Sequence, residues 1–130
     1  MSFLLDTSAA ILLRDDHREA KMALSRLSSV PLLSAVTKVE LEGGVYARPE
    51  MMQQRRVRLD ALLGVMDVID FDTDMARTYG QIVATNGFSR RKIIDRMIAA
   101  TALVADLTLI TLNGADFTGI ENLKLEIWDI

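Results

Sequence analysis

The chain has 130 residues, half of them hydrophobic but only 5% aromatic, with a formal net charge of -3 and no cysteine. That length suits one domain with a real core, and apolar content dominated by Leu, Ile, Val, Ala and Met is that of helices packed on a sheet. Disulfides and thiolate metal sites are excluded, in keeping with a reducing cytoplasm, and the net charge alone points to no nucleic-acid partner.

Phe3–Asp6 reads as a short buried strand, and Thr7 or Ser8 can cap a helix running through Leu13. No basic residue precedes this apolar run and Asp6 interrupts it, which argues against a signal peptide. No apolar stretch reaches the length of a membrane span, so no membrane association is expected. Asp15-Asp16 breaks the helix, and His17–Leu27 resumes it with Ala20, Ala23, Leu24 and Leu27 at helical spacing. Val30–Ser34 is a second strand. Val36–Ala47 is a helix ended by Arg48-Pro49. A polar, basic helix follows over Glu50–Leu63, then a strand over Val65–Phe71. Thr73–Thr85 is a helix stopped at Asn86-Gly87. Phe88–Lys92 is a loop, Ile93–Ala105 an apolar helix, Leu107–Leu112 a buried strand and Leu125–Trp128 a last strand. Such alternation implies an α/β fold, with a mostly parallel sheet between helices on both faces. Sites in such folds form beyond the carboxyl ends of the strands, where Asp6 stands.

Four acids occupy strand ends or helix starts in apolar surroundings: Asp6, Glu40, Asp95 and Asp116. Each has a local explanation. Asp6 can be a helix N-cap. Thr37-Lys38-Val39-Glu40 matches a capping box. Asp95 suits the dipole of the helix it begins, and Asp116 can stabilise a turn. Their joint presence points further. Asp95 shares a helical stripe with Ala99 and Ala102 that should face the sheet, and poorly solvated carboxylates repel one another unless cations hold them. Hard divalent ions with oxygen ligands do so, Mg²⁺ or Mn²⁺ best of all, and they serve metal-assisted phosphodiester hydrolysis. Other chemistries fail. There is no phosphate-binding glycine loop, and the only histidine, His17, reads as a solvated turn residue, which leaves no nucleophilic triad. Asp6-Thr7-Ser8 is not the Asp-x-Asp of aspartate-nucleophile phosphatases, and the paired acids of a receiver domain are absent.

Leu4-Leu5-Asp6-Thr7-Ser8, Ser34 through Glu40-Leu41, Asp95 with Ile98-Ala99-Ala100 and Ala102, and Thr111-Leu112-Asn113-Gly114-Ala115-Asp116-Phe117 occur in this order in a chain of this length. Together they resemble the PIN-domain family, most closely its bacterial VapC-type toxins, from about Phe3 to Trp128. The resemblance implies a single domain over residues 1–130, folded as a three-layer α/β/α sandwich around a mostly parallel sheet. It also implies an Mg²⁺- or Mn²⁺-dependent endoribonuclease acting by hydrolysis, with tRNA as a candidate substrate. Asp6, Asp95 and Asp116 map to metal-holding positions. Glu40 maps to the family glutamate, which orients or deprotonates the attacking water or binds a second metal. Asn113 matches the polar position before the last acid. Thr7 or Ser8 fills a slot where the family often carries a hydroxyl followed by Asn, here with Ser8 in place of that Asn, and Ser34 opens the second motif. The cleavage expected leaves a 5′-phosphate and a 3′-hydroxyl.

An acidic protein can meet RNA through local charge. Arg48, Arg55, Arg56 and Arg58 form one basic segment, and Arg90, Arg91, Lys92 and Arg96 a second, just before Asp95. Both can contact phosphates, and Arg90, Arg91 and Lys92 are the stronger candidates. The few aromatics favour recognition of RNA shape and backbone. The resemblance further implies a cognate antitoxin laid in a groove and a homodimer, for which the Ala20–Leu27 or Met51–Leu63 surfaces are candidates. Two other readings stand beside the toxin: a housekeeping RNA-processing nuclease of the same chemistry, and a catalytically silent interaction module whose acids only cap helices and turns.

Overall fold

A computed structural model describes all residues, Met1–Ile130. Five strands alternate with six helices: β1 (Phe3–Leu5), α1 (Thr7–Arg14), α2 (Arg18–Ser25), β2 (Leu32–Ser34), α3 (Ala35–Tyr46), α4 (Met52–Val65), β3 (Val68–Ile69), α5 (Thr73–Asn86), α6 (Ile93–Ala105), β4 (Thr108–Thr111) and β5 (Leu125–Ile127). Short 3-10 turns occupy Pro49–Met51, Arg90–Lys92 and Gly114–Phe117. The sheet order is β3-β2-β1-β4-β5 and every pairing is parallel. This is the expected α/β arrangement.

The pleat of β1 explains the layers. Successive side chains of a strand point to opposite faces, so Phe3 and Leu5 enter one core and Leu4 the other. On the first face they meet Ala9, Leu13, Ala20, Leu59 and Leu62 from α1, α2 and α4. On the second, Leu4 meets Ile82, Ile98, Ala99 and Ala102 from α5 and α6. Neighbouring β4 repeats the division, with Ile110 in the first core and Leu109 in the second. Helix α3 serves both cores, through Leu41 and Val45 on one side and Val36 on the other. Ala20, Ala23, Leu24 and Leu27 pack into the first core, as do Leu59, Leu62 and Leu63. These residues of the stripes considered above as interface surfaces are therefore interior packing, while Met22, Met52 and Val57 on the same helices stay exposed.

The chain adds strands outward from β1 through β2 to β3, then returns to the other side of β1 to lay down β4 and β5. The direction of winding reverses between β1 and β4. At such a switch point the loops leaving the two strands diverge and open a crevice at their carboxyl ends.

Several boundaries differ from the sequence reading. The strand expected over Val65–Phe71 contracts to Val68–Ile69, because α4 continues through Val65 and the strand has a partner on one side only. The segment Arg90–Lys92, read as loop, forms a 3-10 turn. The stop at Gly87 holds: its φ of 84° is the left-handed geometry that favours glycine. The break at Asp15-Asp16 also holds, with Asp16 at φ 63°. His17 is more than a turn residue, since its Nδ1 accepts a hydrogen bond from the Ala20 amide at 3.3 Å and caps α2.

Candidate active site

Asp6 leaves the end of β1 at the switch point, almost wholly buried. Its amide donates to the Ile110 carbonyl at 2.9 Å, extending the β1–β4 ladder by one residue and fixing the backbone below the carboxylate. Three groups then donate to that carboxylate. The Ala9 amide (2.9 Å) and Ser8 Oγ (2.6 Å) share Oδ1, while Thr111 Oγ1 reaches Oδ2 at 2.5 Å. Asp6 is thus the N-cap of α1 itself, and the expectation that Thr7 or Ser8 would take that duty is corrected. The local reason is its extended ψ of 175°, which aims the side chain along the first turn. A carboxylate offers about four lone-pair directions. With three filled, one remains, on Oδ2, for an outside ligand.

The hydroxyls around Asp6 are themselves oriented. Ser8 Oγ accepts from the Leu112 amide at 3.3 Å, and Thr111 Oγ1 from the Asn113 amide at 3.1 Å. Each hydroxyl is held as an acceptor on one side, so its proton points to Asp6. Thr111 was not among the expected site residues. Its signal lies in the sheet register: Leu5 pairs with Ile110, so the next residues on the two strands, Asp6 and Thr111, stand side by side.

Glu40 projects into solvent from the second turn of α3. The capping-box reading of Thr37 and Glu40 is overturned, because the N-cap of α3 is Ser34, whose Oγ accepts from the Val36 amide at 3.0 Å. Thr37 and Glu40 are instead one turn apart on the same helical face. Thr7 Oγ1 lies 2.5 Å from Glu40 Oε1 and 3.1 Å from Thr37 Oγ1. With one proton to give, Thr7 donates to the carboxylate and accepts from the fully buried Thr37. Sequence reading missed Thr37 as a support, and its spacing from Glu40 was the available sign. Ser34 acts through the helix it caps.

Asp95 lies on the first turn of α6, half-buried, above the buried Ile98, Ala99 and Ala102. Burial, then the charges of Asp116, Asp6 and Glu40, push its pKa up to about 6, and Lys92 opposes them. The other three expected acids therefore all act on the Asp95 carboxyl group. Asp116 sits in the 3-10 turn after β4, and Asn113 Nδ2 donates to its Oδ2 at 3.1 Å.

No three of these carboxylates lie close enough together to form a ready-made metal cage. The donor set is nevertheless all oxygen, acidic and partly buried, which suits a hard divalent cation. Mg²⁺ usually keeps several waters and takes only one or two carboxylates, so an open arrangement fits it better than a closed one.

The two basic segments fare differently. In the first, Arg56 forms a two-pronged pair with Glu42 (2.7 and 3.0 Å) and also reaches Asp60. That pairing holds the Glu42 carboxyl below its usual range. Arg48 pairs with Glu50, Arg55 Nη1 donates to the Gly44 carbonyl and Arg58 to the Asp15 carbonyl. These groups are engaged within the fold, which corrects their reading as a free phosphate-binding face. In the second segment Arg96 is buried and donates to the Gly87 carbonyl at 2.6 Å. The side chains of Arg90, Arg91 and Lys92 make neither a salt bridge nor a hydrogen bond within the chain.

The comparisons with known proteins agree with this geometry. The chain is similar to Ribonuclease VapC2 of Rickettsia felis, with 29% identity over 99% of both chains. It is similar also to the tRNA(fMet)-specific endonuclease VapC of Shigella flexneri, with 26% identity over 98% of both. Among solved structures it matches a chain of VapBC2 from Rickettsia felis bound to a DNA fragment from their promoter, at a TM-score of 0.86 and 27% identity, covering 99% of this chain and 100% of that one. It also matches a chain of FitAcB from Neisseria gonorrhoeae, at a TM-score of 0.80 and 26% identity, covering 98% and 99% of the two chains. The sequence profile of the PIN domain covers residues 3–122, and the chain belongs to the PIN-domain family.

Proposed function

We propose that this protein is an Mg²⁺- or Mn²⁺-dependent endoribonuclease, the toxin of a VapBC-type toxin–antitoxin pair acting in the cytoplasm, with tRNA as its candidate substrate. The field around Asp95 carries the proposal: burial and three neighbouring acids together hold one carboxyl far from its ordinary behaviour. Functional sites concentrate such perturbations, and a cation is what relieves this one. The kinship with VapC ribonucleases and with VapBC assemblies supports the RNA substrate and the antitoxin partner. No helix is long and apolar enough to cross a membrane.

In this reading Asp6, through its remaining Oδ2 lone pair, and Asp95 would hold the cation directly, and Asp116 would hold it through one of the waters that Mg²⁺ keeps. A bound Mg²⁺ or Mn²⁺ supplies Lewis-acid stabilisation of the scissile phosphate and of the departing oxygen. Glu40 is the base. Thr7 occupies its Oε1, which turns the solvent-facing Oε2 toward a water and leaves it free to take a proton. The water oxygen bonds to phosphorus, the P–O3′ bond breaks, and the leaving oxygen takes a proton from solvent. The products are a 5′-phosphate and a 3′-hydroxyl. Arg90, Arg91 and Lys92 bind the flanking phosphates. The antitoxin covers the acidic crevice and places a basic side chain among its carboxylates, and the toxin works as a homodimer.

The test is cleavage of tRNA with Mg²⁺ or Mn²⁺ present and with EDTA. Wild-type protein cuts only with the metal, and Asp6→Asn loses cleavage while keeping its circular dichroism and melting cooperativity. Activity that survives Asp6→Asn combined with Asp95→Asn overturns the mechanism.

A further inference from the structure

Few aromatic rings are available in this chain, and the structure sorts them. Phe3, Phe117 and Trp128 are core residues, while Phe71 and Tyr79 pack against the second core. Tyr46 is exposed, but it stands beside Arg56, which is already engaged by Glu42 and Asp60. The remaining ring is Phe88, 68% exposed in the connection between α5 and α6. A phenyl ring in water contributes nothing to the core.

The ring is presented on a fixed backbone. On one side, the Gly87 amide donates to Val83 at 2.7 Å, and its carbonyl accepts from Arg96 at 2.6 Å. Arg96 is buried and adjoins Asp95 on α6, so this tether refers Phe88 to the turn that carries the central acid. On the other side, the Ser89 carbonyl accepts from the Lys92 amide at 3.2 Å and closes the 3-10 turn. The free cations Arg90, Arg91 and Lys92 follow at once, and the charge of Lys92 reaches Asp95. Ring, cations and the acid Asp95 thus follow one another along residues 88–95. A polyanionic strand whose bases carry flat aromatic faces has groups to match the ring and the cations.

We propose that Phe88 is the stacking platform for an unpaired RNA base next to the cleaved bond. Arg90, Arg91 and Lys92 hold the phosphates between that base and the acids. The bases of a duplex are already stacked on one another, so an isolated ring selects a loop, bulge or splayed nucleotide. This adds a base contact to the expected recognition of RNA shape and backbone, and it rests on the ribonuclease reading above.

Binding is measured with the full chain carrying Asp6→Asn, which leaves RNA intact. The probes are a fluorescein-labelled RNA hairpin with an open loop and a blunt duplex of the same stem. Phe88→Ala is expected to weaken loop binding on the order of 5- to 150-fold. Duplex binding and the dependence of affinity on salt stay unchanged, and Phe88→Trp restores the loop preference. Equal losses on both RNAs, or no loss on either, overturn the proposal. A changed oligomeric state on size-exclusion chromatography with unaltered RNA binding also overturns it, and assigns the ring to a protein contact. The wild-type protein is assayed in parallel for cleavage of tRNA with Mn²⁺. Failure to cut removes the ribonuclease reading itself, whereas cutting with a Phe88→Ala preference like the wild type's removes only the stacking platform.

Discussion

Asp6 caps a helix, and in the proposed reading it also offers a ligand atom, two duties that look incompatible. The geometry separates them by oxygen: Oδ1 serves the cap and Ser8, while Oδ2 takes Thr111 and keeps one direction open. Thr111→Val keeps the side-chain shape but removes that orienting hydroxyl and strands the Asn113 amide. Partners of this kind are commonly worth 10- to 100-fold in metal affinity or activity, and about that loss is expected for Mn²⁺ binding by calorimetry. Wild-type affinity in Thr111→Val would show that the fold alone positions Asp6. Asp95 makes a second prediction. Its folded pKa of about 6 lies above its ordinary 3.8, so the folded state binds this proton more tightly than the unfolded chain. The stabilisation from that proton is complete below the unfolded value and is lost as pH rises through about 6. The full displacement corresponds to about 3 kcal/mol. Solvent screening at this half-buried group lowers the expectation to about 1 kcal/mol. Metal-free Asp95→Asn is therefore expected to exceed wild type in stability by about that amount at pH 7, with the difference vanishing below pH 4. Urea titrations at several pH values in EDTA check it, and a constant difference would mean that Asp95 feels no such field.

At the level of elements, helix α5 contrasts two glycines. Gly80 lies inside the helix, where an added Cβ would meet nothing within 4 Å. Gly80→Ala is expected to stabilise the protein by up to about 1 kcal/mol through helix propensity and the unfolded chain. Gly87 ends the same helix at φ 84°, ψ 154°, a region that L side chains rarely adopt. Gly87→Ala is expected to cost roughly 1–3 kcal/mol, and it shifts the carbonyl that Arg96 holds. Denaturant midpoints of the two variants should move in opposite directions. The strands show the same dependence on position. Leu109 is fully buried between β1 and β5, so Leu109→Ala should cost about 2–5 kcal/mol, against far less at the exposed Leu125 that it pairs with.

For the whole molecule, net charge misleads. The acids are gathered at one crevice, while most arginines are spent on internal pairs and carbonyls, which leaves the Arg90–Lys92 turn as the free cationic element beside Asp95. In the proposed reading a cation entering the crevice would relieve repulsion present only in the folded state. Mn²⁺ at about 100 times its dissociation constant adds roughly 2.7 kcal/mol. For a chain of this size that raises the melting temperature on the order of 10 °C. Thermal melts with and without Mn²⁺ decide the matter. No Mn²⁺-dependent shift would favour a silent interaction module.

The linear sequence determined the layers and the location of the crevice. Apolar runs of period two and helical stripes are local signals, and an acid directly after a buried strand must stand at the sheet edge. The place of Asp6 was legible on that basis, and helix-stopping residues made the stop at Gly87 and the break at Asp15-Asp16 legible too. The pairing of residues distant in the chain was decided only by tertiary structure. Thr111 reaches Asp6 because β4 returns beside β1, and Thr7 meets Glu40 because α1 and α3 close on each other. The same closure engaged Arg56 with Glu42 and Asp60, which no count of charges could foresee. Hydrogen bonds and ion pairs act over a few ångströms, so their partners follow from sheet order and helix packing, whereas periodicity carries only the period of each element.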